Sequence, residues 1–452
     1  MSRRFRDPPR LACVLALSLF CLSAPEVELA AETSLPAAGD FSSLPKVTLY
    51  DPDPNHLWNR LYAALFARTG PGWETSGMES LDLLLWTQTK HLIGEPSRTH
   101  AIRVLDEFLA TNGENLIQDP VKRAVMQRDL WALFDWSLRV GRIDDNAVTP
   151  KRVRDLQVRV VEVIKRIALT RAQIESLPDN YSATAASTGV SASGRTANPE
   201  ELSLPADLFQ DNGPWVCVGN AEDLAANDHV GGCEARSVFF VFMRLPGGAS
   251  ATREYIRSLS KALPTWLQGR LPEGIPVVPQ MPVGTKVALV RQMLLIDNRM
   301  ELVASHLTES VEVRAYREIA PFGLTLTIRN PKAQAVAEFV LDRPMLFAKS
   351  SFGLRKRKDD ETDFGFGPGV ELTGQDPFES PKDRTGMAPV MSSCIMCHSL
   401  PGIYSVNSVE RLFNCGSPKY LRALEPSDPS RERRLAIETK RRLYFSNLTD
   451  LY

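Results

Sequence analysis

The chain has 452 residues, of which 43% are hydrophobic and 24% are charged, and its formal net charge is −1 at pH 7. This length and composition predict a globular protein of two or three domains. Because positive and negative charges nearly balance, nothing in the composition indicates nucleic-acid binding or attachment to an anionic membrane surface.

Residues 1–31 are typical of a secretory signal peptide. Four arginines among the first ten residues precede a short apolar run, residues 11–24, and small residues follow it. The run is too short to cross a bilayer as a helix. We therefore expect a periplasmic or secreted protein with no integral membrane segment after cleavage. An uncleaved amphipathic anchor is the alternative.

Residues 40–178 are predicted to form an N-terminal helical domain. Apolar residues recur at helical spacing in three stretches, which are residues 56–69, 120–141 and 153–177. Thr170 interrupts the apolar series of the third stretch. We interpret that stretch as a core helix, with a coiled-coil seam as the alternative.

Residues 179–203 are rich in Ser, Thr, Ala and Gly. This composition predicts a flexible linker and a domain boundary, because it offers little apolar surface to bury.

Residues 204–350 are predicted to form an α+β domain around an antiparallel sheet. Short apolar or alternating segments with tight turns between them are typical of such a sheet. The predicted strands are residues 238–243, 286–296, 300–307, 311–316, 324–329 and 335–341, with a hairpin turn at 297–299 and a helix over 251–263. The fold class expected for the whole chain is multidomain α+β.

Residues 351–383 are polar, charged and rich in Gly and Pro, so they are predicted to form a loop. Asp363-Phe364-Gly365 in this loop matches a protein-kinase tripeptide. No other kinase motif accompanies it, so we interpret the match as a coincidence. The sequence also lacks the residue patterns of a hydrolase or a nucleotide-dependent enzyme.

Five cysteines lie beyond the predicted signal peptide, namely Cys217, Cys233, Cys394, Cys397 and Cys415. In an oxidising compartment Cys217 and Cys233 are predicted to form a disulfide. Closing the loop between them would stabilise the fold by about 3 kcal/mol. Two buried free thiols are the alternative. Cys415 is either a buried thiol or a partner for another chain.

The terminal segment, residues 384–452, contains the most specific motif of the chain. Cys394, Cys397 and His398 have the spacing C-x-x-C-H. Two thiols at this spacing can form thioethers with the vinyl groups of a haem, and the next residue can bind the iron. At these positions the chain resembles c-type cytochromes, and the resemblance covers little else. It implies one covalent haem c, held by Cys394 and Cys397 with His398 as axial ligand, in a short, mostly helical segment.

The distal ligand departs from the pattern of a compact c-type cytochrome, because no Met or His follows His398. The upstream candidates are Met387, Met391, His229 and His306. Either histidine can approach only if the sheet packs over the haem. The sequence assigns none of the four, so the iron is either six-coordinate with an upstream ligand or five-coordinate.

The resemblance implies electron transfer to an unidentified redox partner protein. If the chain is an enzyme, it implies a haem-dependent oxidoreductase. Two non-redox alternatives stay open. Cys394, Cys397, His398 and Cys415 could bind structural zinc, or Cys394 and Cys397 could form a disulfide in an exported binding or scaffold protein.

Overall fold

The computed structural model describes residues 46–70, 73–76, 92, 94–143, 148–189, 202–220, 224–226, 229–230, 235–267, 279–319, 333–348, 352–359, 361, 398, 402–407, 424–443 and 445–451. These residues belong to one compact unit, Phe41–Tyr452. The N-terminal part of the unit is mainly helical, and the C-terminal part contains a large sheet.

The N-terminal part contains six α-helices, a short 3₁₀-helix (Gly113–Asn115) and a small two-stranded sheet among its described residues. The helices are α1 (Leu57–Phe66), α2 (Ser97–Ala110), α3 (Pro120–Ile143), α4 (Val148–Ile167), α5 (Arg171–Glu175) and α6 (Asn180–Gly189), and the strands are β1 (Arg68–Gly70) and β2 (Trp73–Ser76). No helix in the described part of the chain is both long enough and apolar enough to cross a membrane.

A seven-stranded antiparallel sheet follows. Its strands are β3 (Val216–Asn220), β4 (Ser237–Arg244), β5 (Lys286–Ile296), β6 (Leu302–Tyr316), β7 (Gln334–Leu341), β8 (Leu354–Lys356) and β9 (Leu424–Pro426), in the spatial order β8-β7-β6-β5-β4-β3-β9. The remaining helices are α7 (Gly248–Leu267), α8 (Arg343–Phe347), α9 (Ile403–Asn407), α10 (Pro429–Arg442) and α11 (Phe445–Thr449).

The predicted antiparallel sheet is confirmed, and β5 and β6 form its central hairpin. The turn depends on Asp297, whose Oδ1 accepts hydrogen bonds from the backbone N–H groups of Arg299 (2.9 Å) and Glu301 (2.8 Å). The segments predicted as two strands, 300–307 and 311–316, form the single strand β6. The predicted strand 324–329 lies outside the described residues.

Both faces of the sheet are covered by apolar side chains. On the first face, Val311 and Val313 of β6 join the large core that contains Trp131 and Phe134 of α3. Because neighbouring residues of a strand point to opposite faces, Tyr316 of β6 lies on the second face. There it packs with residues of α7 and α9 in a smaller core.

The predicted long helix over 153–177 is wrong in one respect, because α4 ends at Ile167 and α5 begins at Arg171. Thr170 forms a capping box, in which its Oγ1 accepts from the Gln173 backbone N–H and its own N–H donates to Gln173 Oε1. This cap satisfies the exposed N–H groups that begin a new helix.

The first half of the predicted flexible linker also differs from the prediction, because residues 180–189 form helix α6. Asn180 Nδ2 donates to the Thr308 carbonyl (3.0 Å), and the Thr308 N–H donates to Asn180 Oδ1 (2.7 Å). Tyr181 and Ala185 are buried in the main core. These contacts with β6 stabilise a helix that composition alone does not predict.

The C-terminal segment completes the sheet. Strand β9 pairs with β3 at the edge, where Gly219 is the register partner of Glu425. Ala436 of α10 and Leu448 of α11 join the same core as the N-terminal helices. The segments predicted as separate helical, α+β and terminal domains therefore share one apolar core.

Buried charges connect these distant segments. Asp135 of α3 accepts hydrogen bonds from Arg236 Nη1 (2.8 Å), just before β4, and from Lys440 Nζ (2.7 Å) of α10. All three side chains are at most 4% exposed. One carboxylate is thus shared by two cations in the interior.

We expect Asp135→Asn to lower the free energy of unfolding by about 3–5 kcal/mol, because it removes a negative charge that two buried cations share. Urea denaturation measures the change. The control is Glu301→Gln, which breaks the half-exposed pair with Arg441 and is expected to cost less than about 1 kcal/mol. Equal losses of stability in the two variants would contradict the role of Asp135 as a buried partner of Arg236 and Lys440.

Candidate functional site

Of the three residues in the C-x-x-C-H motif, the structure describes His398. Cys394, Cys397 and Cys415 lie outside the described residues, as do Met387 and Met391. The site can therefore be built outward from the His398 imidazole.

The His398 imidazole is half-buried and is held by the segment that follows it. Its Nδ1 lies 2.5 Å from the backbone carbonyl oxygen of Ser405, in α9. Gly402, just before α9, has a φ of +59°, and a Cβ there would lie 2.1 Å from Gln280 Oε1. The left-handed backbone therefore favours glycine at this position. Helix α9, which follows it, places the Ser405 carbonyl against the ring.

The sheet holds His398 from the other side. The Gln334 side chain of β7 donates from Nε2 to the His398 carbonyl oxygen (2.8 Å). The same amide accepts from Arg314 Nη1 through Oε1 (3.1 Å). Ser405 is itself fixed, because its Oγ lies 2.6 Å from the hydroxyl of Tyr316 on β6. Both the backbone and the ring of His398 are thus oriented.

The surroundings keep this imidazole neutral. Burial, followed by the charge of Arg314, lowers the pKa of His398 to about 4, although Glu312 opposes the shift. In a neutral ring next to a carbonyl oxygen, Nδ1 carries the proton and donates it. The lone pair is then on Nε2, which is the arrangement usual for a histidine that ligates a metal.

A buried ion pair lies beside the imidazole on the second face of the sheet. Arg314 Nε donates to Glu312 Oε1 (2.5 Å), and both residues belong to β6. Burial alone would raise the pKa of Glu312, but Arg314, His398 and His229 lower it to about 2. The Glu312 carboxylate is therefore anionic at neutral pH and close to both imidazoles.

The structure brings His229 to His398. The centroids of the two imidazoles are 6.0 Å apart, and their planes differ by 16°. His229 also lies 6.0 Å from the ring of Phe239 on β4. The sequence named His229 as a candidate that needed the sheet to pack over the C-terminal motif, and the sheet does lie there. His306, the other candidate histidine, is exposed on β6.

Sequence reasoning missed four polar contributors to the site, which are Glu312, Arg314, Gln334 and Ser405. A signal for two of them was present, because Glu312 and Arg314 alternate with apolar residues in a strand. That alternation predicts a polar face, but not the segment that covers it.

Cys217 is a buried free thiol, and Ser427 Oγ lies 3.4 Å from its Sγ. Burial raises the pKa of this thiol to about 12. Its predicted partner in a disulfide is Cys233. Cys233 lies outside the described residues, so the pairing in the mature protein stays a prediction.

Neither a metal cluster nor a known relative identifies this site. The described residues contain no group of three or more His, Cys, Asp or Glu side chains arranged to hold a metal ion. Comparisons of the chain with protein-family models, curated proteins and solved structures found no match.

We expect His398 to stay neutral at pH 5 in a Cys394→Ser/Cys397→Ser variant, which carries no attachment thiols. Nitrogen NMR of labelled histidines measures the titration, and His398→Asn assigns the signal. Since the pKa of the folded state lies below the unperturbed value of about 6.5, protonation favours the unfolded chain, and this contribution to stability falls as the pH drops from 6.5 to 4. A midpoint near 6.5 would contradict the neutral, half-buried ring.

Proposed function

We propose that this chain is an exported haem c protein that transfers electrons. Cys394 and Cys397 form the thioether bonds to a single haem, and His398 is its proximal axial ligand. The redox partner is another protein. The basic and apolar N-terminal segment supports export, which covalent attachment of a haem requires.

The observation that carries the proposal is the state of His398. A C-x-x-C-H motif needs a neutral histidine with one nitrogen available to the iron. The Nδ1 contact with the Ser405 carbonyl and the lowered pKa both support such a ring. The chemistry of this donor is therefore compatible with a c-type haem.

The surrounding residues keep the ligand in place. Gln334 binds the His398 backbone, and α9 fixes the tautomer of the ring through the Ser405 carbonyl. Both contacts come from regular elements of the fold, β7 and α9. His398 would therefore need little reorganisation when a bound iron changes its oxidation state. Outer contacts of this kind are general to histidines that bind metals.

The Glu312–Arg314 pair sets the local charge. A haem supplies a one-electron ferric–ferrous couple when bound. The Glu312 carboxylate, buried on the same face of the sheet, favours the more positive ferric state, and Arg314 partly neutralises it. The chain's own charges thus tune the reduction potential.

The test is the visible spectrum of the reduced protein in alkaline pyridine, after expression with its N-terminal segment in a host that matures c-type cytochromes. We expect a haem c band that survives acid-acetone extraction, because thioethers do not dissociate. Cys394→Ala/Cys397→Ala should abolish it. Cys415→Ala is the matched control and should retain it.

A colourless, exported and folded protein would overturn the proposal. Metal analysis would then separate the two non-redox alternatives. One equivalent of zinc, lost in both the Cys394→Ala/Cys397→Ala and the Cys415→Ala proteins, would indicate the zinc site. Protein without metal and with Cys394 and Cys397 oxidised would indicate a disulfide in a binding or scaffold protein.

A further inference from the structure

The distance between the two imidazoles suits a shared iron atom. A bond from a metal to an imidazole nitrogen is about 2.0 Å long, and the ring centroid lies about 1.2 Å behind that nitrogen, so two axial imidazoles have centroids about 6.4 Å apart. The His229 and His398 centroids are 6.0 Å apart, with nearly parallel planes.

From this geometry we infer that His229 is the distal axial ligand of the haem iron, opposite His398. The inference rests on the proposed function and makes it more specific. It assigns six-coordinate iron with two nitrogen ligands, and hence electron transfer rather than binding of a small ligand or activation of peroxide.

The position of His229 is set by the sheet. Its ring contacts Phe239 of β4, and the N–H of the next residue, Val230, donates to the Ala226 carbonyl (2.9 Å). Val230 is buried in the main core. His229 is therefore attached to a packed segment, which brings its side chain to the second face of the sheet.

The charge of the site agrees with two nitrogen ligands. The Glu312 carboxylate pairs with Arg314 on the second face of the sheet, where the two imidazoles also lie. An anionic carboxylate beside the two imidazoles favours ferric iron. Ligation by two histidines also favours ferric iron when compared with ligation by one histidine and one methionine, since methionine ligation raises the reduction potential. We therefore expect a low potential for this centre.

The experiment compares the matured haem protein with His229→Gly and with His306→Gly, which removes the exposed histidine of β6. Electron paramagnetic resonance of the ferric form reports the spin state, and titration with carbon monoxide reports access to the ferrous iron. The unmodified protein and the His306→Gly control should be low-spin. The His229→Gly protein should become high-spin and bind carbon monoxide about tenfold or more tightly, because a competing ligand has been removed.

Free imidazole should restore the low-spin spectrum of His229→Gly, because it can replace the missing ligand. If His229 had only a structural role, added imidazole would not restore the spectrum. His229→Met is a second variant that keeps a ligand, and it should raise the midpoint potential. A protein without haem would overturn both this inference and the proposed function. A His229→Gly protein that keeps its low-spin haem, or an unmodified protein that is already high-spin, would overturn this inference alone.

Discussion

The carboxylate of Asp135, buried between Arg236 and Lys440, is the interaction on which the arrangement of the chain depends. It connects α3 to the start of β4 and to α10, which come from three distant parts of the sequence. A buried charge is costly unless it is paired, so separating these elements would cost free energy. The ion pairs act together with the pairing of β9 with β3 and the packing of α10 in the main core, which return the C-terminal segment to the sheet.

Strand β6 serves the core and the candidate site with alternate residues. Val311 and Val313 face the large core beneath the N-terminal helices. Glu312 and Arg314 face the opposite side, where they pair with each other and lie beside His398. Because the core fixes Val311 and Val313, the strand presents Glu312 and Arg314 to the opposite face. A stable sheet therefore provides a rigid base for the site.

Local patterns in the sequence predicted many of the elements, but not their assembly. Alternation predicted β5 and the turn at Asp297, and helical spacing predicted α3. Composition misidentified α6, whose stability comes from Asn180 binding the backbone of β6. At the site, spacing singled out His398. The contact between His398 and His229 depends on how the sheet packs, which neither local propensity nor periodicity encodes.

The most direct test of the account is anomalous X-ray diffraction at the iron edge from crystals of the matured protein. The account predicts one iron atom, about 2 Å from a ring nitrogen of His398 and about as far from one of His229, in a haem joined to Cys394 and Cys397. An ordered His398 imidazole with no iron bound to it would contradict the account.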